Sequence, residues 1–371
     1  MIPVSEPWLG ERERAYVDAC VESGWISSAG EFLERFESDW AAYCGRRHGV
    51  AVANGTVALQ LGIAALRLEP GDEVIMPSFT IISCALAVLY SGAVPVVVDS
   101  DPETWCMDVG AVEAAITSRT RAIMPVHIYG HPIEMDPLLS LARRHGLQVV
   151  EDAAEAHGAE YLVDNVWRRC GGFGDLSCFS FYANKIVTTG EGGMVLTDDD
   201  KLAERLRQLR NLGFGPRRFV HDVLGFNFRM TNLQAAVGVA QVERVDETIT
   251  HKRRVASAYT ERLRDVEGLQ LPVERSWARN VYWMYGVVLG SGVDISVDSL
   301  QDELRTRGVE TRPFFLGLHE QPVLRERGLF ADAQLPTCEL LARRGLYLPS
   351  SPQLSEAEIE HISTSLAEAL A

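Results

Sequence analysis

Short β-rich runs alternate with helical patterns through the first two-thirds of this sequence, and few folds accept that alternation. GVAVA (49–53) reads as a strand, and Asn54-Gly55-Thr56 turns from it into an apolar helix, VALQLGIAAL. AIMPV (122–126) is another strand; after it Asp136 and Pro137 read as N-cap and first helical position, with Gly146 as the C-cap. LQVV (147–150) follows as the next strand. Strands separated by helices of about ten residues imply right-handed crossovers and a mostly parallel sheet covered on both faces. The expectation is an α/β domain.

From about residue 232 the pattern changes. Leu233, Ala236, Val237, Ala240 and Val245 form one helical stripe that runs on into a charged helical stretch, so a long helix is expected near 233–265. Beyond it lie mixed strands (VYWMYGVVL), a helix after Ser299, and a last helix from Ser355, where Ser355 and Glu358 have capping-box spacing. A chain of 371 residues suggests about two domains. The division expected is a large α/β domain over 1–245 and a smaller α+β domain over 246–371.

The formal charge of −16 repels phosphate backbones and argues against a nucleic-acid partner. Seven cysteines with no C-x-x-C pair suit neither a disulfide framework nor a cysteine zinc site, and fit a reducing compartment. MIPVSEPWLGERER has no basic stretch leading into an apolar core, so no signal peptide is expected. Val74 to Val98 carries no charge, but Pro77, Gly92 and Pro95 punctuate it; strand, helix and strand in series fit it better than a membrane span. The expected location is cytoplasmic, with no membrane partner. His127 and His131 have the four-residue spacing of some metal sites, yet HIYGH after a strand does not place them on one helical face, and no metal is expected. Neither a G-x-G-x-x-G opening a βαβ unit nor a Walker loop is present, which argues against nicotinamide and ATP sites.

Of the 35 basic residues, 32 are arginine and only three are lysine, at 185, 201 and 252. Only an amine forms a Schiff base or shuttles a proton near neutral pH, so each lysine demands a reason. Lys201 opens an amphipathic helix and Lys252 lies in HKRR on a charged one; both read as solvated charges. Lys185 differs, lying in CFSFYANKIVTTGEGGMVL between an apolar strand (178–181) and a Gly-rich turn. That setting predicts a lowered pKa, as a Schiff-base nucleophile needs.

Three companions sharpen this. Asn54-Gly55-Thr56 stands at a strand-to-helix junction, where free N–H groups and the helix dipole hold a phosphate. Asp152 and Glu155 follow a buried strand at the carboxyl edge where open α/β sheets place ligands; a buried carboxylate there suits a protonated pyridine nitrogen. Ser180, five residues before Lys185, offers a hydroxyl to the same phosphate. Cradle, carboxylate and lysine together describe a site for pyridoxal 5′-phosphate (PLP).

NGTVALQLGIAAL, GDEVIMPSFT, GAVPVVVDSDPETW, PVHIYGHPIEMD, VVEDAAEAHGAEY, CFSFYANKIVTTGEGGMVLTDD and GFNFRMTNLQAA, in this order, resemble the DegT-like sugar aminotransferases, from about residue 2 to 368. That resemblance implies the type I (aspartate-aminotransferase) fold of PLP enzymes. GWISS (24–28), NKIVTTGEGGM, FRMTNLQAA, VYWMY and VETRPFF are most similar to the GDP-perosamine synthase branch. It further implies that Lys185 links to the cofactor and moves the reaction's proton. Asp152 would pair with the ring nitrogen, position 155 with the ring hydroxyl side, and Gly55, Thr56 and Ser180 with the phosphate. Many members have glutamine where this chain has Glu155. Asn227, helped by Arg229, would reach the phosphate from a neighbouring subunit, so the resemblance implies a homodimer with composite active sites. Where members often stack an aromatic ring on the cofactor, this chain has Ile81.

For the substrate, Arg312 in ETRPFF is the candidate for a nucleotide phosphate, its fork matching phosphate geometry, and Ser27 and Ser28 in GWISS are candidates for the sugar pocket. The implied reaction is PLP-dependent transamination of a nucleotide-linked keto sugar, a GDP-4-keto-6-deoxyhexose, with L-glutamate as donor. Transamination of another keto sugar or a cyclitol, and a non-catalytic regulatory protein on the same fold, are the alternatives. A PLP-dependent sugar dehydratase is disfavoured, because such relatives replace the lysine by histidine.

Overall fold

The computed structural model describes residues 1–217 and 219–370. Seven strands build one sheet: β1 His48–Val52, β2 Glu73–Pro77, β3 Val94–Val98, β4 Thr120–Ile123, β5 Gln148–Asp152, β6 Leu176–Ser180 and β7 Gly193–Thr197. Their spatial order is β1-β7-β6-β5-β4-β2-β3. Strands β3, β2, β4, β5 and β6 pair in parallel, whereas β7 runs antiparallel to both β6 and β1. Only β7 is therefore reversed, and the mostly parallel α/β architecture read from the alternation is what forms. Every residue of β2 and β7 is buried, as strands covered on both faces require.

The uncharged stretch from Val74 to Val98 is β2, the helix Ser83–Tyr90 and β3 in series. Pro95 is tolerated because β3 is an edge strand, where a missing N–H costs no ladder bond on the open side. The helix Gly55–Ala65 starts where expected, its N-cap Asn54 accepting from the Val57 N–H at 3.0 Å. The helix Met135–His145 starts slightly earlier than the motif suggested: Glu134 is its N-cap, and Asp136 lies in the first turn. Gly146 closes it at φ 64°, the left-handed conformation that favours glycine.

Residues 233–265 form two helices rather than one, Asn232–Val242 and Val245–Leu263. Arg244 breaks the run at φ −128°, ψ 16°. Its guanidinium is drawn to Glu13, 3.0 Å away, and to the Trp8 carbonyl, so tertiary contacts with the N-terminal segment override the continuous helical pattern.

Beyond this break, β8 Leu269–Gln270, β9 Tyr285–Leu289, β10 Arg312–Pro313 and β11 Gly345–Leu348 form an antiparallel sheet in the order β8-β9-β11-β10. Tyr285, Val287 and Leu289 point into a second core with Tyr259, Leu300 and Ile362, while Val288 joins the main core. The period of two along β9 thus joins both cores. The expected capping box forms on the helix Glu356–Leu370, with Ser355 N donating to Glu358 Oε2 at 2.9 Å and Glu358 N to Ser355 Oγ at 3.3 Å. We propose the domain boundary at 245/246, where Val245–Leu263 begins to supply the second core. Residue 2 crosses that boundary, Ile2 N donating to Gly308 O at 2.7 Å. Among the described residues no helix is long and apolar enough to cross a membrane.

Candidate active site

Strands β1, β5 and β6 share one direction, so Val52, Asp152 and Ser180 end on the same edge of the sheet. The turns that leave them enclose a cavity of about 260 Å³. Gly55, Thr56, Asp152, Glu155, Ser180 and Lys185 all line it. Roomier hollows exist, such as one of about 580 Å³ along Gly10–Glu13 and 242–247, but the ion pairs Arg12–Glu243 and Arg244–Glu13 line that one.

Gly55 is dictated by the approach of β6: a Cβ there would stand 2.5 Å from Ser180 Cβ. The first turn of the helix Gly55–Ala65 therefore lies flush against Ser180, and its residues Gly55 and Thr56, whose N–H groups have no intrahelical partner, line the cavity. Thr56 Oγ1 is 2.9 Å from Ser83 Oγ, adding a pair of hydroxyls there.

Asp152 is 2% exposed; its Oδ1 accepts from Ala154 N at 3.0 Å and its Oδ2 from the Cys84 thiol at 3.1 Å. Among the described residues it has no ion-pair partner, and burial raises its pKa above the ordinary carboxylate value despite the Cys84 bond. Glu155 Oε2 accepts from Tyr129 N at 2.7 Å, and Oε1 lies 3.6 Å from Lys185 Nζ. Burial pushes Glu155 up and Lys185 down, each opposed by the attraction of the other. A buried amine that deprotonates readily, beside carboxylates, can act as nucleophile and proton carrier.

A family model, the DegT/DnrJ/EryC1/StrS aminotransferase family, matches residues 7–367. The chain belongs to this family. Its members are PLP-dependent aminotransferases acting on sugars, and this chain is an aminotransferase. A GDP-perosamine synthase from Caulobacter vibrioides is 45% identical over 371 residues, covering 100% of this chain and 98% of the relative. One from Escherichia coli O157:H7 is 41% identical, covering 99% and 98%. Among solved structures, DesV of S. venezuelae superposes with a TM-score of 0.89 at 38% identity, covering 96% of this chain and 93% of that one.

Ile81 lines the cavity of this DegT-family chain, whereas the remaining residues singled out lie off it. Asn227 is exposed and accepts from Arg229 Nε at 2.9 Å; the segment between them is joined to the cradle strand, Ala53 N donating to Phe228 O at 2.9 Å. Ser27 accepts at its carbonyl from Asn232 N at 2.6 Å, and neither Ser27 nor Ser28 lines the cavity. Arg312 is exposed and pairs in register with Tyr347, which does line it. His127 and His131 are both engaged elsewhere: His127 Nε2 with Glu151 at 3.1 Å, His131 Nδ1 with the Pro132 carbonyl at 2.7 Å.

Lys252 corrects the sequence reading. It is 4% exposed rather than solvated, donating to the carbonyls of Trp283 and Ser350. The charged pattern around it hides one buried face of the helix, against which segments arrive that are remote in sequence. The aminotransferase's cavity wall also includes Ser83, Trp283, Phe315 and Tyr347, none of which the motifs had singled out for the site. Cys84, beside Asp152, is a further omission; it lies four residues after the PSFT turn, in the helix that follows.

Proposed function

We propose that this chain uses PLP to transfer the amino group of L-glutamate to the keto carbon of a nucleotide-linked sugar, a GDP-4-keto-6-deoxyhexose. The convergence of Lys185, Asp152 and the Gly55–Thr56 helix start on one cavity carries this reading. The similarity to two GDP-perosamine synthases over almost the full chain supports the choice of sugar nucleotide.

The residues present fit the cofactor. A group with an anion at one end suits the free N–H cradle closed by Gly55 against Ser180. A protonated ring nitrogen supplies the cation that the buried Asp152 carboxylate lacks. PLP, when bound, supplies a carbonyl that takes up the amino group and a ring that withdraws electrons.

The chain's own residues do the rest. The N–H groups of Gly55 and Thr56, with the Thr56 and Ser180 hydroxyls, would hold the phosphate. Asp152 would keep the proton on the ring nitrogen. Lys185 takes a proton at its Nζ and returns it, its burial lowering the pKa and so favouring the neutral amine. Glu155 steadies the charged form of that amine. Ile81, Trp283, Phe315 and Tyr347 wall the cavity with carbon and limit water.

Two chains per functional unit are part of the proposal. Asn227 lies off its own chain's cavity, and Trp25 and Leu224 are 59% and 97% exposed, apolar surface suited to a second copy. We propose a cytoplasmic setting, supported by seven buried cysteines that are all free thiols.

The test is the visible spectrum of the protein with PLP before and after L-glutamate, followed by addition of GDP-4-keto-6-deoxymannose. Conversion of the cofactor to its amino form by glutamate, and its return on adding the sugar, supports the reading. Failure of glutamate to convert a lysine-bound cofactor overturns the donor, and failure of PLP to attach overturns the reading.

A further inference from the structure

Two of the chain's three lysines meet at Trp283. Lys185 Nζ stands 3.4 Å from the centroid of the Trp283 ring. The ring is itself fixed, its Nε1–H donating to the carbonyl of Asn184 at 2.8 Å. From behind, Lys252 Nζ donates to the Trp283 carbonyl at 2.8 Å and to the Ser350 carbonyl. Lys185, Lys252, Trp283 and Asn184 are among the residues lining a small hollow of about 10 Å³, with room for about one water.

An ammonium over an indole face is attracted by the ring's electron cloud, most strongly when both are shielded from water. Lysine otherwise scatters over many rotamers, so this contact, together with Glu155 Oε1 at 3.6 Å, fixes where the free Lys185 amine rests. Trp283 stays in place only if its backbone does, and its carbonyl has Lys252 as partner. Lys252 does not line the cavity; its hydrogen bond to the Trp283 carbonyl is the contact that connects it to the residue facing Lys185.

We propose that Trp283 and Lys252 are positioning residues for the amine chemistry: Lys252 fixes the Trp283 backbone, and the Trp283 ring face holds the Lys185 amine toward the cavity. This deepens the proposed function and rests on Lys185 being the reacting amine. Misplacing a reacting group by about 1 Å costs up to ~10²-fold in rate, which is the scale such positioning controls.

Three lysines make a clean chemical test. The cofactor-free protein is treated with trace acetic anhydride, and mass spectrometry gives acetylation at Lys185 relative to exposed Lys201 in the same molecule. Trp283→Leu removes both the cover and the ammonium's stabilisation, and raises the Lys185:Lys201 ratio about three- to tenfold. Trp283→Phe keeps a ring face and leaves the ratio within about twofold of the parent. Lys252→Met raises the ratio in the same direction, and Lys252→Gln, which still donates, gives an intermediate value. In the loaded enzyme Trp283→Leu and Lys252→Met lower kcat and leave KM for the sugar nucleotide within about twofold. An unchanged ratio in Trp283→Leu, or equal ratios for the Leu and Phe variants, overturns the role of the ring. A parental ratio in folded Lys252→Met overturns the role of Lys252; should that variant not fold, a parental ratio in Lys252→Gln does so. Loss of turnover in Lys185→Arg tests the underlying reading separately, because the acetylation ratios of the other variants do not depend on it.

Discussion

Lys185 Nζ and Glu155 Oε1 stand 3.6 Å apart in a site where both side chains are almost wholly buried, so burial shifts the proton affinity of each and the partner's charge opposes that shift. Burial lowers the lysine's pKa and the carboxylate pulls it back up. Replacing Glu155 with Gln removes that pull, and the Lys185 pKa drops further. The rate of PLP attachment to cofactor-free protein, followed by visible absorbance, falls as pH decreases through the Lys185 pKa. In Glu155→Gln this fall moves to lower pH. A shift to higher pH, or none, would show that Glu155 does not govern the amine.

Gly55 leaves no room for a side chain. A methyl there meets Ser180 Cβ at 2.5 Å and Oγ at 2.8 Å, both on the strand that carries the site. Gly55→Ala forces the helix start away from β6 and costs about 1–3 kcal/mol of stability. Because the same movement opens the phosphate cradle, PLP affinity falls more than unfolding alone explains. Thermal unfolding and PLP titration on the same variant check both parts; intact affinity in a destabilised variant would separate cradle from packing.

Asp152 has a raised pKa in the cofactor-free chain, so the folded state holds its proton where the unfolded state has released it. Stability of the cofactor-free protein accordingly declines as pH rises from the ordinary carboxylate range through the raised value. Asp152→Asn removes a charge that costs stability: its unfolding midpoint without PLP rises at pH 7 by roughly 2–4 °C per kcal/mol gained. That advantage over the parent shrinks as pH is lowered. Turnover falls by roughly 10²-fold or more, since no carboxylate keeps the ring nitrogen protonated. A lower midpoint at pH 7 would mean that the carboxylate is stabilised in the cofactor-free fold after all.

How far the sequence reached depends on how locally each residue is placed. Gly55, Thr56, Asp152, Glu155, Ser180 and Lys185 each sit at or just beyond the end of a parallel-type strand, and the strand pattern alone assembles those ends along one edge. Trp283 and Tyr347 reach the same cavity from the β9–β11 region, about which a local pattern carries no information. Lys252 was misread for the same reason: the carbonyls that receive it lie 31 and 98 residues away in sequence. Arg244 likewise breaks a helix through contacts with residues 8 and 13.

Asn227 and Lys185 belong to different halves of the proposed composite site, and subunit mixing tests this without any structure of the dimer. Asn227 is exposed and lies off the cavity of its own chain, while Lys185 lines it. Lys185→Ala abolishes turnover; Asn227→Asp, which places a negative charge against the phosphate, weakens PLP binding. When the two variants are unfolded, mixed in equal amounts and refolded with PLP, about half of the dimers are hybrids, and each hybrid has one site with both native residues. Activity therefore returns to about a quarter of the parent's, although each variant refolded alone remains inactive at the same PLP concentration. If Asn227 served its own chain's site, every hybrid site would carry one defect, and mixing would restore nothing.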